Sequence, residues 1–287
     1  MNVKLVSTAI SLLCTASLYA AGANAYQFEV RAGYQDGSED VDGDSEDIEG
    51  FDLGFSVYFP AVDDSEGPLA EAAFLQRASS FSVDYLENEE GGEDRTFTRY
   101  QGDIVDAKSG VIGGLTVSTE EVGSNETLRY QISMGKYLFE NTTAVINLAR
   151  ADLDKDLVGE GGEDALESAE LRLRHVHVGS FSFAAEAHIG VTEVNFFDDV
   201  DMEFDKGNQD TYGAALTLYP TNDLGVGIFF DDQDGYQDMD GEAGEQTQGI
   251  SAEYFIMPTL AVSLSYTETE NGDDDGDAIA IGVRGRF

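Results

Sequence analysis

The chain has 287 residues, with 57 Asp and Glu against 15 Lys and Arg and a formal net charge of −42. This charge excludes nucleic acid as a partner, because a polyanion repels phosphate groups. It does not indicate disorder, since 41% of the residues are hydrophobic, including 17 Phe and 13 Tyr, and that much apolar surface needs burial in protein or lipid.

The first 25 residues have the features of a cleaved secretory signal peptide. Lys4 precedes an apolar stretch over residues 5–21, and Ala23-Asn24-Ala25 then supplies small residues at the cleavage site. The stretch is broken by Ser, Thr and Gly and is shorter than the about 20 apolar residues of a spanning helix, which disfavours an uncleaved anchor. We expect an exported mature chain that begins at Tyr26. The single cysteine, Cys14, leaves with the leader, so disulfides and thiolate metal sites are excluded.

The mature chain repeatedly alternates apolar residues with polar or small ones, which is the period-two pattern of β-strands. Phe51, Leu53 and Phe55, for example, are separated by Asp52 and Gly54. The alternating segments are roughly 9–12 residues long, as strands tilted across a bilayer must be. Similar alternation covers residues 26–34, 181–192, 211–218, 250–256 and 260–266.

The connections between these segments alternate between short and long. Outer-membrane barrels have short periplasmic turns and long outer loops, so this alternation is typical of them. We therefore predict an all-β fold, a transmembrane antiparallel up-and-down β-barrel formed by residues 26–287, with both chain ends periplasmic. The short connections fall at 139–142, 179–180, 220–223 and 257–259, and the long acidic ones at 35–49, 152–164, 195–209, 232–246 and 270–277.

The predicted barrel has about 14 strands, an even number as in other bacterial single-chain barrels. Weak alternation between residues 99 and 114 leaves a count of about 12 open. A soluble exported β-sandwich would also alternate, so it remains the alternative fold. The predicted strands span residues 26–34, 50–59, 69–86, 95–104, 111–119, 126–138, 143–151, 165–178, 181–194, 210–219, 224–231, 247–256, 260–269 and 278–287.

The last predicted strand ends at Phe287, with apolar residues at every second position before it and with Arg284 and Arg286 on the opposite face. Such a strand resembles the signal that outer-membrane proteins present to the barrel-assembly machinery. The resemblance implies that Phe287 is an assembly signal and that this machinery is a partner of the chain.

A second resemblance lies in the segment Gly67-Pro68-Leu69-Ala70-Glu71-Ala72-Ala73-Phe74-Leu75, followed by Ala78-Ser79-Ser80. It resembles the family described as putative general bacterial porins of Gram-negative proteobacteria. The resemblance implies an outer-membrane location and a passive pore. It supplies no catalytic residues, so we expect no enzyme activity.

A barrel of this size encloses more space than side chains fill, and the polar face of each strand points into that space. Closure would bring the first strand beside the last. We hypothesise that the inward charges form a constriction that tunes what passes, whereas the alternative is that Glu–Arg pairs only brace the wall. The predicted pore-lining residues are Glu29, Arg31, Arg172, Arg174, Glu186, His188, Arg284 and Arg286.

The predicted function is passive diffusion of small hydrophilic solutes or ions through a water-filled porin in the cell outer membrane. The alternative is a non-conducting structural or adhesive barrel whose acidic outer loops bind divalent ions or partners. Outer-membrane lipid and lipopolysaccharide surround the barrel in either case. Assembly into a homo-oligomer is left open.

No cofactor and no specific metal site are predicted. Asp40–Ser45 is acidic like a calcium loop, but Ser45 and Phe51 stand where an EF-hand has glycine and glutamate. Loose Ca²⁺ or Mg²⁺ binding at the acidic loops, bridging lipopolysaccharide phosphates, is left open. His175 and His177 could share one strand face as metal ligands, but we expect them at the periplasmic interface without metal.

Overall fold

The structure, a computed structural model, describes residues 25–41, 44–65, 67–90, 93–123, 125–152, 165–198, 203–234, 244–272 and 274–287. They form one closed barrel in which each strand pairs with its neighbours in sequence and the first pairs with the last. No helix among these residues is long and apolar enough to cross a membrane. The strands are β1 Ala25–Val41, β2 Asp44–Asp63, β3 Ser79–Glu90, β4 Glu93–Val105, β5 Val111–Val122, β6 Asn125–Phe139, β7 Thr142–Asp152, β8 Ala165–His177, β9 Ser182–Asp198, β10 Glu203–Thr221, β11 Leu224–Gln233, β12 Glu245–Met257, β13 Leu260–Asn271 and β14 Asp274–Arg286.

Closure of the barrel follows from the medium in which the strands lie. In hydrocarbon no water can pair with a free backbone N–H or C=O group, so an open sheet edge is not tolerated. The first and last strands therefore meet in one continuous register, from Glu29 opposite Arg286 to Asp40 opposite Asp275. The predicted antiparallel barrel of 14 strands is confirmed, including the weakly alternating region, which forms β4 and β5.

The outer surface of the barrel is apolar. Alternate side chains of each strand point away from the lumen, and these are the apolar residues of the alternating pattern. Ile132 on β6 is 54% exposed although its side chain is a large aliphatic one. A soluble β-sandwich would bury such residues, whereas a membrane barrel presents them to acyl chains. Exposed residues of the same kind lie on the other strands and include Phe28, Phe55, Phe81, Tyr100, Leu115, Ile146, Leu171, Ile189, Leu216, Ile228, Ile250, Leu264 and Ile281.

The prediction of a strand over residues 69–86 is wrong in its first part. β3 begins at Ser79, and before it lie a 3₁₀ helix, Leu69–Glu71, and the short helix α1, Ala72–Leu75. These helical turns pair part of their own backbone, for example through the bond from Gln76 N to Ala72 O at 3.1 Å. The segment can therefore leave the sheet without leaving all of its backbone N–H and C=O groups unpaired.

Three of the predicted long outer loops are wrong, because the strands continue through them. β1 runs to Val41 and β2 starts at Asp44, and the β9–β10 and β13–β14 hairpins are extended in the same way. Outside the bilayer both faces of a strand meet water, so the alternation of the sequence ends before the pairing does. The predicted leader, residues 153–164 and residues 235–243 lie outside the described residues, and the leader stays a prediction.

Apart from the β2–β3 connection, which contains these helical turns, the periplasmic connections are short. Between β4 and β5 the Asp106 carboxylate accepts bonds from the Ser109 hydroxyl at 2.6 Å and from Lys108 N at 3.1 Å. These bonds, the serine bond first, hold the pKa of Asp106 below its ordinary value. The chain then turns at Gly110, whose φ of 71° suits glycine. The other short connections, at 140–141, 178–181, 222–223 and 258–259, confirm the predicted turns.

The assignment of the two faces predicts unequal losses of stability for two adjacent substitutions on β13. Leu264→Arg should lower the free energy of unfolding by about 2–4 kcal/mol, because it places a charge among acyl chains near the middle of the strand. Ser265→Arg should cost much less, because Ser265 faces the lumen. Urea unfolding in lipid vesicles measures both, and equal losses would contradict the assignment.

Candidate functional site: the charged lumen

Arginines line the lumen of this acidic barrel. They occupy strand positions between the outward side chains, as Arg172 does between the exposed Leu171 and Leu173. Successive residues of a strand point to opposite faces, so these arginines point inward. The lumen-facing arginines are Arg31, Arg95, Arg99, Arg129, Arg172, Arg174, Arg284 and Arg286.

A buried ion-pair cluster joins the first and last strands near the periplasmic end. Arg286 is 1% exposed and Glu29 is 4% exposed, and Arg286 Nε donates to Glu29 Oε2 at 3.0 Å. The Arg286 guanidinium also lies 4.4 Å from the Tyr26 ring centre and 4.6 Å from that of Phe255. Arg284 lies 3.8 Å from the same Glu29 oxygen. The predicted juxtaposition of Glu29 with both arginines is thus present in the structure.

Tyr26 lies inside the barrel, which the alternation of β1 did not predict. The pairing of β1 with β2 shifts between Tyr26 and Phe28, where both Gln27 N and Phe28 N donate to the Phe287 carbonyl. A bulge of this kind inserts an extra residue and reverses the faces that follow. Phe28 therefore faces lipid, while Tyr26 is buried against Val62.

A second cluster spans the lumen wall at β1, β3 and β4. Arg31 Nη2 donates to Asp84 Oδ1 at 2.7 Å, and Arg99 Nη2 donates to Asp84 Oδ2 at 3.1 Å. Arg31 was predicted to line the pore, whereas Asp84 and Arg99 were not. Asp84 lies on the polar face of an alternating segment, so the pattern contained the signal, but nothing in the sequence pairs it with Arg31.

A third cluster lies on β8 and β9. Arg172 bridges Glu170 and Glu186, each at 3.1 Å, and Arg174 Nε lies 3.9 Å from Glu186 Oε2. His188 Nε2 lies 3.4 Å from an oxygen of Asp231 on β11. The structure places all eight predicted pore-lining residues on the lumen side, and most of them are in ion pairs. Their role in permeation stays a prediction.

Residues 67–78, which we call the plug segment, fold into the periplasmic end of the lumen. The buried carboxylate of Glu71 accepts one bond from Arg174 Nη2 and one from the Tyr219 hydroxyl, both at 2.6 Å. On the opposite side of the barrel, Arg286 Nη1 donates to the Leu69 carbonyl at 2.9 Å. The plug segment is therefore bonded to the barrel wall on two opposite sides of the lumen.

Apolar contacts supplement these bonds around the barrel. Leu69 packs against Phe255 and Ala261 of β12 and β13, and Phe74 packs near Val176 and Tyr219 of β8 and β10. The plug segment thus narrows the periplasmic mouth. In the sequence this segment was recognisable only by a family resemblance, and its residues from 69 onwards were predicted as part of a strand. The glutamate inside its apolar run was a signal for a buried partner.

Two further candidates lie away from the lumen. The rings of His175 and His177 flank Phe183 at 5.9 and 5.3 Å, and His175 Nδ1 lies 2.8 Å from the Thr142 hydroxyl. The described part of the chain contains no group of three or more His, Cys, Asp or Glu placed to hold a metal ion. Asp40–Ser45 includes residues 42 and 43, which lie outside the described ranges.

A closed barrel with an apolar outer face and a polar lumen is the architecture of a bacterial outer-membrane protein. Within that class, the chain belongs to the family described as "Putative general bacterial porin", whose profile matches residues 1–287. The resemblance drawn from residues 67–80 is thereby confirmed, and the chain is an outer-membrane protein. The family and the fold are those of non-enzymatic channels.

Solved structures share this barrel. The crystal structure of the outer membrane protein Omp33 of Acinetobacter baumannii is similar with a TM-score of 0.60 and 23% identity, over 92% of this chain and 99% of that chain. A bacterial polysaccharide outer membrane secretin is similar with a TM-score of 0.52 and 10% identity, over 91% and 99%. At these identities the likeness concerns the fold alone. A comparison with curated proteins gave no match.

The buried pair predicts a test of barrel stability. Arg286→Met should lower the free energy of unfolding by about 3 kcal/mol, because it leaves the buried Glu29 without its nearest cation. The double variant Glu29→Gln/Arg286→Met should recover part of that loss. Arg150→Met, which breaks exposed pairs with Asp152 and Glu167, should cost at most about 1 kcal/mol.

Urea titrations of the refolded variants give these values, and a double-mutant cycle gives the coupling between Glu29 and Arg286. An additive double variant would contradict a stabilising interaction between the two strands.

Proposed function

We propose that this barrel is a diffusion porin that passes small hydrophilic solutes or ions. The observation that carries this proposal is the lumen, whose wall holds charged groups on β1, β3, β4, β8, β9 and β14. Several of these side chains are a quarter to a half exposed, so water reaches them inside the barrel. A water-filled, charged lumen is what passive diffusion of polar solutes needs.

The outer ends of the strands supply an acidic entrance. Like charges lie directly opposite each other there, as Glu121 does to Glu126 and Glu49 to Glu89. Such an entrance enriches cations over anions in the solution around it. The predicted pore-lining residues then set the field further in, with Arg31, Arg172 and Arg284 lining the passage beyond the rim.

The plug segment is the observation that favours the alternative, a barrel that does not conduct. It is bonded to β8, β10 and β14 across the periplasmic mouth, so the passage left beside it limits the size of any solute. We propose that this mouth is the narrowest part of the pathway. Conductance of purified mature protein in planar bilayers tests the porin function, and silent membranes at all voltages would favour the non-conducting barrel.

We also propose three partners of the barrel: the barrel-assembly machinery, divalent cations and lipopolysaccharide. Phe287 serves as the signal to the assembly machinery, since it directly follows the last strand and its backbone pairs with that of Phe28 to close the ring. The acidic strand ends bind Ca²⁺ or Mg²⁺ loosely and reach lipopolysaccharide phosphates through them. These ions would relieve the repulsion between carboxylates that face each other across strands.

The plug segment generates a conductance prediction. Glu71→Gln removes a carboxylate that accepts two bonds, one of them from Arg174, and a hydrogen bond to a charged group contributes roughly 1.5–3 kcal/mol. The population with a displaced plug segment should therefore rise by about tenfold or more, and the mean single-channel conductance should increase.

Glu167→Gln is the matched control, because it removes one carboxylate from the exposed pair with Arg150, away from the lumen and from the plug segment. Its conductance should stay close to that of the wild type. An unchanged conductance for Glu71→Gln in a barrel that conducts would mean that the plug segment does not limit the pathway.

A further inference from the structure

The lumen wall from β12 through the closing seam to β4 carries a chain of ion pairs, which we call the charge belt. The charges alternate in sign along the belt, and the nitrogen and oxygen atoms of successive members lie between 2.7 and 3.9 Å apart. Each charge is therefore neutralised by its neighbours in the belt. The members, in order around the wall, are Glu253, Arg284, Glu29, Arg31, Asp84 and Arg99.

The charge belt crosses β2 at a glycine. Gly54 of β2 lies opposite Arg31 of β1 on one side and opposite Asp84 of β3 on the other. Two strand spacings, about 10 Å, separate the backbones of β1 and β3. The Arg31 side chain spans this gap by lying over Gly54, and its Nη2 atom donates to Asp84 Oδ1 at 2.7 Å.

The path of Arg31 depends on the absence of a side chain at position 54. A Cβ atom placed on Gly54 would lie 2.9 Å from Asp84 Oδ1, and 3.0 and 3.1 Å from Arg31 Nε and Nη2. These distances are shorter than van der Waals contact, so the charged groups would have to move. All three atoms are ends of side chains, and the φ of Gly54 is not positive. A larger residue would therefore redirect Arg31 while the backbone of β2 stays in place.

The same arrangement recurs in another part of the wall. His188 of β9 and Asp231 of β11 face each other across Gly213 of β10, with His188 Nε2 3.4 Å from Asp231 Oδ2. A Cβ atom on Gly213 would lie 2.5 Å from His188 Cε1 and 2.6 Å from Asp231 Oδ2. It would also lie 2.9 Å from the Phe230 carbonyl, so Gly54 is the better position for a test. Glycine weakens a strand interior and often marks the close approach of another group.

We propose that Gly54 is a positioning residue that sets the ion selectivity of the pore through Arg31. In the wild type, Arg31 lies against the wall, and Asp84 neutralises its charge. A side chain at position 54 would turn the guanidinium into the lumen, to which the Arg31 side chain is already 38% exposed. An arginine freed in this way attracts anions, repels cations and narrows the passage. This inference rests on the proposed porin function.

The test measures ion permeation through Gly54→Val in planar bilayers with a salt gradient. The cation-to-anion permeability ratio should fall by about twofold to fivefold, the range expected when one partly exposed ion pair is lost. Single-channel conductance should fall as well. Gly54→Ala is the milder variant, because its Cβ atom meets only the ends of side chains, and it should shift both quantities in the same direction by less.

Gly113→Val is the matched control. Gly113 lies on the lipid-facing side of β5, between the exposed Ile104 of β4 and Met134 of β6. Among the described residues, no atom beyond its chain neighbours lies within 4 Å of a Cβ atom placed there. The permeability ratio and the conductance of Gly113→Val should match those of the wild type.

A variant without the guanidinium separates the proposed role from a merely structural one. In Arg31→Ala there is no long side chain to displace, so adding Gly54→Val should leave the permeability ratio where Arg31→Ala alone sets it. A second readout does not require conduction. A double-mutant cycle of Arg31→Gln and Asp84→Asn in urea unfolding gives their coupling, which should be lost in Gly54→Val and kept in Gly113→Val.

The outcomes distinguish this inference from the function on which it rests. If the wild type and all variants are silent, the porin function fails, while the coupling measurement still decides the role of Gly54. If the barrel conducts and the permeability ratio of Gly54→Val matches that of Gly113→Val, the inference is wrong and the porin function stands. A change in the ratio that persists in Arg31→Ala would overturn a role through Arg31.

Discussion

The need to pair every backbone polar group inside hydrocarbon governs this structure. A strand in lipid has no water to complete its hydrogen bonds, so each edge must find another strand, and the last edge must find the first. Once the ring closes, the pleat alone decides which residues meet lipid and which meet the lumen. The apolar belt and the charged interior are two consequences of the same constraint.

Closure also determines where charge can be buried. Arg286 and Glu29 are 257 residues apart in the chain and become neighbours only because the ring closes between β14 and β1. A buried ion pair is costly to desolvate and costly to break. This pair is completed by aromatic rings and by the Leu69 carbonyl, so the seam between the chain ends also anchors the plug segment.

The lumen of this strongly acidic protein is rich in arginine, and most of these arginines are neutralised by carboxylates on neighbouring strands. The electrostatic field inside the lumen therefore depends on the few charged side chains that have no ion-pair partner, rather than on the net charge of the chain. Within the described ranges, Arg129 on β6 and Asp103 on β4 are such side chains. The acidic outer ends act at longer range, on the solution that reaches the mouth.

The amino-acid sequence by itself determined the alternation of faces and most strand positions, because lipid on one side and water on the other select residues with period two. It left the count open between 14 and 12 strands, and the closed ring decided for 14. β6, predicted over 126–138, spans Asn125–Phe139. Where both faces meet water, as in the outer part of β1, the period disappeared and the strand was missed. Only the tertiary structure decided that residues 67–78 enter the lumen and that Glu71 binds Arg174, 103 residues away. Those contacts depend on the curvature of the closed wall, which no local pattern records.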